Sequence, residues 1–294
     1  MSSVDLDTRD KPALPDVSPE VRIVNLFQAE AVVQPHRQTV LRNAEFADPR
    51  DGRRFRVGFS RQKNSNYYSP PHRHTFDQIR FIVSGQVKYG PLRLSGGDVA
   101  YFPEGVFYGP TEPISGDVTT CTIQTQGPTW GVFPNDAECA VAAERMKGLG
   151  EMDRATGQFV WKDGRKQDSF EAMLEDIVGG PAQYPPQRYR VPVQIKTEAF
   201  PWENIGEGVS SKQLGRFNAA GPELELVKIS TGATLPASRS AMHRIFCVFS
   251  GDALCNGKPL SESSYIYGPP GAALGAIAAK SETVVFSARF ESRG

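Results

Sequence analysis

Two histidines one residue apart stand in the run Pro70-Pro71-His72-Arg73-His74-Thr75-Phe76-Asp77-Gln78. In an extended chain, side chains at i and i+2 leave the same face, so the two imidazoles lie side by side. Gln78 opens the alternating stretch Gln78-Ile79-Arg80-Phe81-Ile82-Val83, on which Gln78, Arg80 and Ile82 share a face. A pair of imidazoles beside a carbonyl-bearing side chain is a partial site for a divalent transition ion: Fe, Mn, Ni, Cu or Zn. Burying Arg80 on that face costs heavily unless it is paired. Either an anionic substrate group or a neighbouring carboxylate is therefore expected against it. Asp77 is expected to face the other way, as a structural residue.

The elements that must hold these groups are read from composition and periodicity. In 294 residues, Gly (28) and Pro (23) are abundant, which favours a β-rich, loop-rich protein over a helical bundle. Lys plus Arg and Asp plus Glu both number 33. No basic excess exists to displace counterions, so binding to nucleic acid or anionic membrane by overall charge is not expected. No apolar run reaches the length of a membrane span. Residues 1–20 read as a flexible arm without the marks of a targeting peptide, and Cys121, Cys139, Cys247 and Cys255 fit no metal-finger or redox spacing. A cytoplasmic protein with free thiols is expected. Short alternating runs then predict strands at Arg54–Phe59, Gln78–Val83 and Asp117–Ile123, and again from Leu224 to the end. Between Asn135 and Gly180 the spacing turns helical twice, with Asp168 as an N-cap and Glu171 three residues on. A small hairpin turning at Asp163-Gly164 lies between the two helices, and a Pro-rich connector follows them.

The histidine run resembles the first motif of the cupin superfamily, roughly G-x5-H-x-H-x3-4-E-x6-G. Here His72 and His74 are followed by a three-residue gap, Gln78, a six-residue gap and Gly85, with Gln in the Glu position. The run Gly97-Asp98-Val99-Ala100-Tyr101-Phe102-Pro103-Glu104-Gly105, with Tyr108 two residues beyond, is similar to the second motif, with Tyr in place of its His. The resemblance implies a metal set of His72, His74, Gln78 and Tyr108 at the mouth of a jelly-roll barrel. Tyr108, whose free phenol has a pKa near ~10, is a poor ligand unless ionised. It is the alternative general acid or base, with Arg80 as a second catalytic residue.

The motif spacing repeats. Gly85 and Pro103 correspond to Gly251 and Pro269 at a constant offset of 166 residues. That offset puts Ser238, Ser240, Arg244 and Leu274 at the four ligand positions, so the second copy reads as degenerate; His243 falls on the opposite strand face and is expected to be packed. The fold expected is all-β, with two jelly-roll barrels joined by a mostly helical linker. The N-terminal cupin domain spans 21–134, the bridge 135–190 and the C-terminal domain 191–294. The resemblance implies a metal-dependent enzyme, Fe(II) and a dioxygenase slightly ahead, acting on a small organic molecule in the first barrel, an anionic one where Arg80 meets substrate. A non-redox lyase, cyclase or isomerase using Tyr108 and Arg80 is the alternative, and a non-catalytic ligand-binding bicupin the third. A homodimer is expected.

Overall fold

The computed structural model describes residues 20–34, 39–63, 67–153, 156–293. The arm expected at 1–20 lies outside them except for Glu20. The protein is mostly β, as expected. An eight-stranded antiparallel sheet runs in the order Val193–Ile195, Val99–Phe102, Asp77–Tyr89, Thr111–Thr125, Arg54–Gln62, Thr39–Ala47, Val32–Gln34, and Leu92–Ser95 pairs beside Asp77–Tyr89. A seven-stranded sheet runs Arg22–Asn25, Ser264–Gly268, His243–Ser250, Thr283–Phe290, Glu223–Ile229, Val209–Arg216, Glu203–Gly206. A four-stranded sheet, Thr234–Leu235, Ile277–Ala279, Ala253–Cys255, Lys258–Leu260, completes the C-terminal set.

Strand parity decides what goes inside. Along Asp77–Tyr89, Ile79 and Phe81 enter the large core that also holds Ile245, Cys247, Tyr267 and Phe286 from the seven-stranded sheet. Gln78 and Arg80 point to the opposite face. The core between the sheets is largely aromatic: Phe81 meets Phe249 at 4.2 Å, and Phe55 meets Phe290 at 5.3 Å, between ring centroids. Such pairs add specific geometry to simple area burial.

Sheet membership does not follow the boundaries expected at residues 21 and 191. Arg22–Asn25 pairs with Ser264–Tyr267 of the C-terminal set, and Val193–Ile195 pairs with Val99–Tyr101 of the N-terminal set. Each short segment covers an otherwise open sheet edge, whose backbone groups need partners.

The repeat is visible in the hydrogen bonding. His72 and Tyr108 form an isolated two-residue bridge, and Ser238 and Leu274 form another at the same 166-residue offset. Gly85 and Gly251 both have positive φ, at 83° and 85°. A Cβ at either would strike a carbonyl of the neighbouring strand, at 2.3 and 2.2 Å, so both kinks need glycine.

Between the two sets stand α1 (Asp136–Met146), α2 (Ser169–Val178) and a three-stranded sheet, Lys166–Asp168, Gln158–Trp161, Gly150–Asp153. The Asn135 side chain and Glu138 form a reciprocal cap on α1. The Asp168 side chain accepts from the Glu171 N–H at the start of α2. Among the described residues no helix is long and apolar enough to cross a membrane.

Candidate functional site

A cavity of about 420 Å³ opens on the face of the eight-stranded sheet that carries Gln78 and Arg80, and His72 and His74 line it. Tyr108 is buried behind these lining residues, with its ring centroid 4.5 Å from that of His72. Two backbone bonds clamp His72 to Tyr108, N to O at 3.0 Å in each direction. The two imidazoles stand edge to face with centroids 4.9 Å apart. All five residues singled out by type and spacing are therefore brought together.

Their partners define what each can do. The His72 Nδ1 lies 2.7 Å from the Pro70 carbonyl. A carbonyl only accepts, so Nδ1 carries the hydrogen of that contact. The His74 Nε2 lies 2.9 Å from the Tyr108 hydroxyl, and its Nδ1 is buried without a partner among the described residues. His74 is sandwiched between Phe76, stacked at 4.4 Å, and Phe170, edge-on at 4.5 Å. Burial, helped by the nearby His72, Arg80 and Arg56, holds the His74 pKa well below the usual imidazole value, so it is neutral at pH 7. Burial pushes the Tyr108 phenol up to about 12 against the opposing pull of Arg80 and Gln78. The phenol therefore keeps its proton.

Gln78 and Arg80 form a unit. With its amide oriented as its neighbours' hydrogens demand, the Gln78 carbonyl accepts from Arg80 Nε at 2.9 Å and Nη2 at 3.1 Å, and from the Tyr108 hydroxyl at 3.3 Å. The guanidinium also lies over the rings of Tyr89, Phe102 and Tyr108, at 4.9, 5.3 and 5.7 Å. Burial opposes its charge, yet its pKa is raised, and the groups that raise it are Tyr89, Tyr108 and Tyr67. No carboxylate of the described residues is among them. Among the described residues this cation faces the cavity without a carboxylate partner.

The donor set fits a divalent ion only in part. Two imidazoles suit a transition metal, but the Gln78 oxygen is already held by a guanidinium and the phenol is neutral. No anionic donor joins them, and a cation stands beside them. Among the described residues the one group of three His or carboxylate ligands lies elsewhere: Asp48, Asp51 and His243, with ligand atoms within 4.8 Å of one another. There Asp48 is held by Arg50 at 2.6 Å, and Asp51 accepts from buried His243 at 2.7 Å. His243 is packed, as its parity implied.

Several lining residues escape sequence reasoning. Met152, Phe170 and Met173 come from the segment between the two strand sets and roof the cavity, joined by Cys139 of α1. Gly157 packs that segment onto Pro70: its φ is +69°, and a Cβ there would fall 2.4 Å from the proline ring. Tyr67 lines the cavity, while Tyr68 is 40% exposed. The prolines that follow reset the alternation there.

At the matching positions of the second repeat, Arg244 and Leu274 are buried. Phe246, Val248, Ile266, Leu274 and Val285 pack into one buried cluster. Arg244 donates to the Ser238 hydroxyl at 2.7 Å and to the Ala272 carbonyl at 3.1 Å.

No family model and no curated protein matches the chain. Solved structures do. A Nostoc punctiforme protein provisionally named a dioxygenase superposes with a TM-score of 0.63 at 11% identity, over 94% of this chain and 84% of its own. A variant of Bacillus subtilis oxalate decarboxylase gives 0.58 at 13% identity, over 97% and 80%. Hazelnut vicilin, from Corylus avellana, gives 0.55 at 12% identity, over 92% and 86%. At these identities the likeness establishes the fold, which is of the cupin type, and an enzyme and a seed vicilin share it. Chemistry must be argued from the side chains.

Proposed function

We propose that the chain is a bicupin in which the first unit, with Val193–Ile195 on its sheet edge, carries the working cavity and the second, with Arg22–Asn25 on its own, is packed at the motif positions, while residues of 135–190 roof the first. The repeated bridges at a 166-residue offset support this division. We further propose an enzyme that moves a proton on a small organic carbonyl compound, the isomerase or lyase class of reaction. The observation that carries this reading is the 2.9 Å contact of the Tyr108 hydroxyl with His74, which lines the cavity, beside an Arg80 that has no carboxylate partner among the described residues.

The roles follow from the hydrogen-bond partners. His72 Nε2 accepts a proton from a C–H next to the carbonyl. The Tyr108 hydroxyl donates to the carbonyl oxygen as its charge develops, held in place by His74, and the Arg80 cation lowers the energy of that oxyanion. Returning the His72 proton to another carbon completes an isomerisation. All of these groups are protein side chains.

One observation favours a second reading. His72, with its Nδ1 on a backbone carbonyl, is oriented as metal-bound histidines are, and a divalent ion on His72 and His74 would supply Lewis-acid or oxygen chemistry. Such an ion competes with Tyr108 for His74 Nε2. The two readings therefore separate by experiment. Exchange of the C3 hydrogens of phenylpyruvate and a panel of other small 2-oxo acids is followed by NMR in D2O, before and after dialysis against a chelator. Catalysed exchange that survives the chelator is expected. Exchange absent across the panel, or lost with the chelator and restored by Fe(II), would overturn proton transfer by side chains alone.

A further inference from the structure

The cavity has two chemically different ends with the reactive groups between them. Consecutive contacts run from Arg80 to Gln78 at 2.9 Å, Gln78 to Tyr108 at 3.3 Å, Tyr108 to His74 at 2.9 Å, and His74 to the Phe170 ring at 4.5 Å. At the Arg80 end the wall is polar and under-bonded. Thr122 lies opposite Arg80 in the sheet, and Thr120 lies one row on, opposite Ile82. Thr120 Oγ1 and Gln62 Oε1 are buried without hydrogen-bond partners among the described residues, although both side chains line the cavity. Thr120 is 1% and Gln62 4% exposed. Buried polar atoms left unpaired in this way are costly unless a ligand or water satisfies them. Two of the five Arg80 N–H donors go to Gln78; a carboxylate matches the guanidinium that remains.

At the other end the wall is apolar. Phe170, Met152 and Met173 line it, and Phe170 also meets Phe76 at 5.8 Å. The acids near the mouth are already matched: Asp136 pairs with Arg56 at 2.9 Å and Asp168 caps α2.

We infer that the cavity binds an amphipathic organic monoanion, a small aryl or branched-alkyl carboxylate. Its carboxylate lies on Arg80 with Thr120 and Gln62, and its apolar group lies against Phe170, Met152 and Met173. For the position of the reacting carbon, beside Tyr108 and His72, this rests on the proton-transfer reading; for the ligand class it does not. Both parts are needed for tight binding, because the charge satisfies one end and desolvation of the ring the other.

Calorimetric titration of the full-length, chelator-treated protein tests this with three probes: phenylacetate, its neutral isostere 2-phenylethanol, and acetate. Phenylacetate is expected to bind at least tenfold more tightly than either of the others. Arg80→Gln should remove that advantage over 2-phenylethanol, Arg80→Lys should keep part of it, and Phe170→Ala should weaken phenylacetate several-fold while leaving acetate unchanged. Equal binding of phenylacetate and 2-phenylethanol by the wild-type protein would overturn the inference even if no variant folds. So would an Arg80→Gln protein with wild-type melting and undiminished preference for phenylacetate. Selective binding without catalysed exchange would leave this ligand assignment standing and refute the proton-transfer reading instead.

Discussion

Asn in place of Asp77 should remove much of the protein's pH-dependent loss of stability between pH 4 and 7. Asp77 sits on the face of its strand away from the cavity, 1% exposed. Its Oδ2 accepts from the Tyr101 hydroxyl at 2.8 Å and from Asn218 Nδ2 at 3.4 Å, and its Oδ1 accepts from the Glu104 N–H at 2.9 Å. Burial raises its pKa from 3.8 to about 7, with the Glu104 carboxylate adding to the rise and the three hydrogen bonds and Arg53 insufficient to reverse it. The folded state therefore holds the proton more tightly than the unfolded chain. The Asp77 contribution is full below pH 4, falls as pH rises toward 7, and levels off above it. At about 1.4 kcal/mol per pH unit, ionising this carboxyl in the fold costs roughly 4 kcal/mol. Glu104 is shifted the same way by burial. Asp48 and Asp51, lowered by their partners despite burial, act only at more acidic pH. Urea unfolding at pH 5 and pH 8 reads the difference. The wild-type protein should be markedly weaker at pH 8, and Asp77→Asn, which mimics the protonated acid, should lose most of that gap. Equal stability of the wild type at both pH values, or a variant that keeps the whole gap, would refute the reasoning.

Three further outcomes are expected. Gly157→Ala places a methyl group against Pro70 in a left-handed backbone; a loss of roughly 1–3 kcal/mol is expected from strain of this kind, read as a lower melting temperature. Asp168→Ala removes the α2 cap; about 1 kcal/mol of stability should go with it, and phenylacetate binding should weaken as Phe170 loses its mooring. Installing histidines with Ser238→His and Ser240→His should create no metal site, because Leu274 and Arg244 fill the space; elemental analysis showing one bound ion per chain after the double change would contradict the filled second repeat.

The floor of the site is legible in the sequence because a strand has a period of two. His72 and His74, and Gln78 and Arg80, fall on common faces by counting alone, and Asp77 and His243 fall on the opposite ones. The 166-residue repeat was legible for the same reason: glycines that tolerate a positive φ at a tight approach cannot drift. The roof was not. Phe170 and Met173 reach the cavity only because α2 folds back over the motif, a tertiary contact that no local period encodes. The exchange of Arg22–Asn25 and Val193–Ile195 between sheets is likewise invisible, since three or four residues pair with whichever edge lies open. Side-chain commitment escapes counting as well: the Gln78 carbonyl serves the Arg80 guanidinium, which a ligand pattern read along the chain does not reveal.

The central claim is that Tyr108 takes part in the chemistry through its hydroxyl. Tyr108→Phe keeps the ring packed against His72 and Phe102 and removes only the hydroxyl that contacts His74 and Gln78. The decisive measurement is the rate of phenylpyruvate hydrogen exchange in D2O for this variant and the wild type, both chelator-treated and both folded by their melting curves. A loss of about 10²-fold or more is expected for a group of this role. An undiminished rate in Tyr108→Phe would contradict the account.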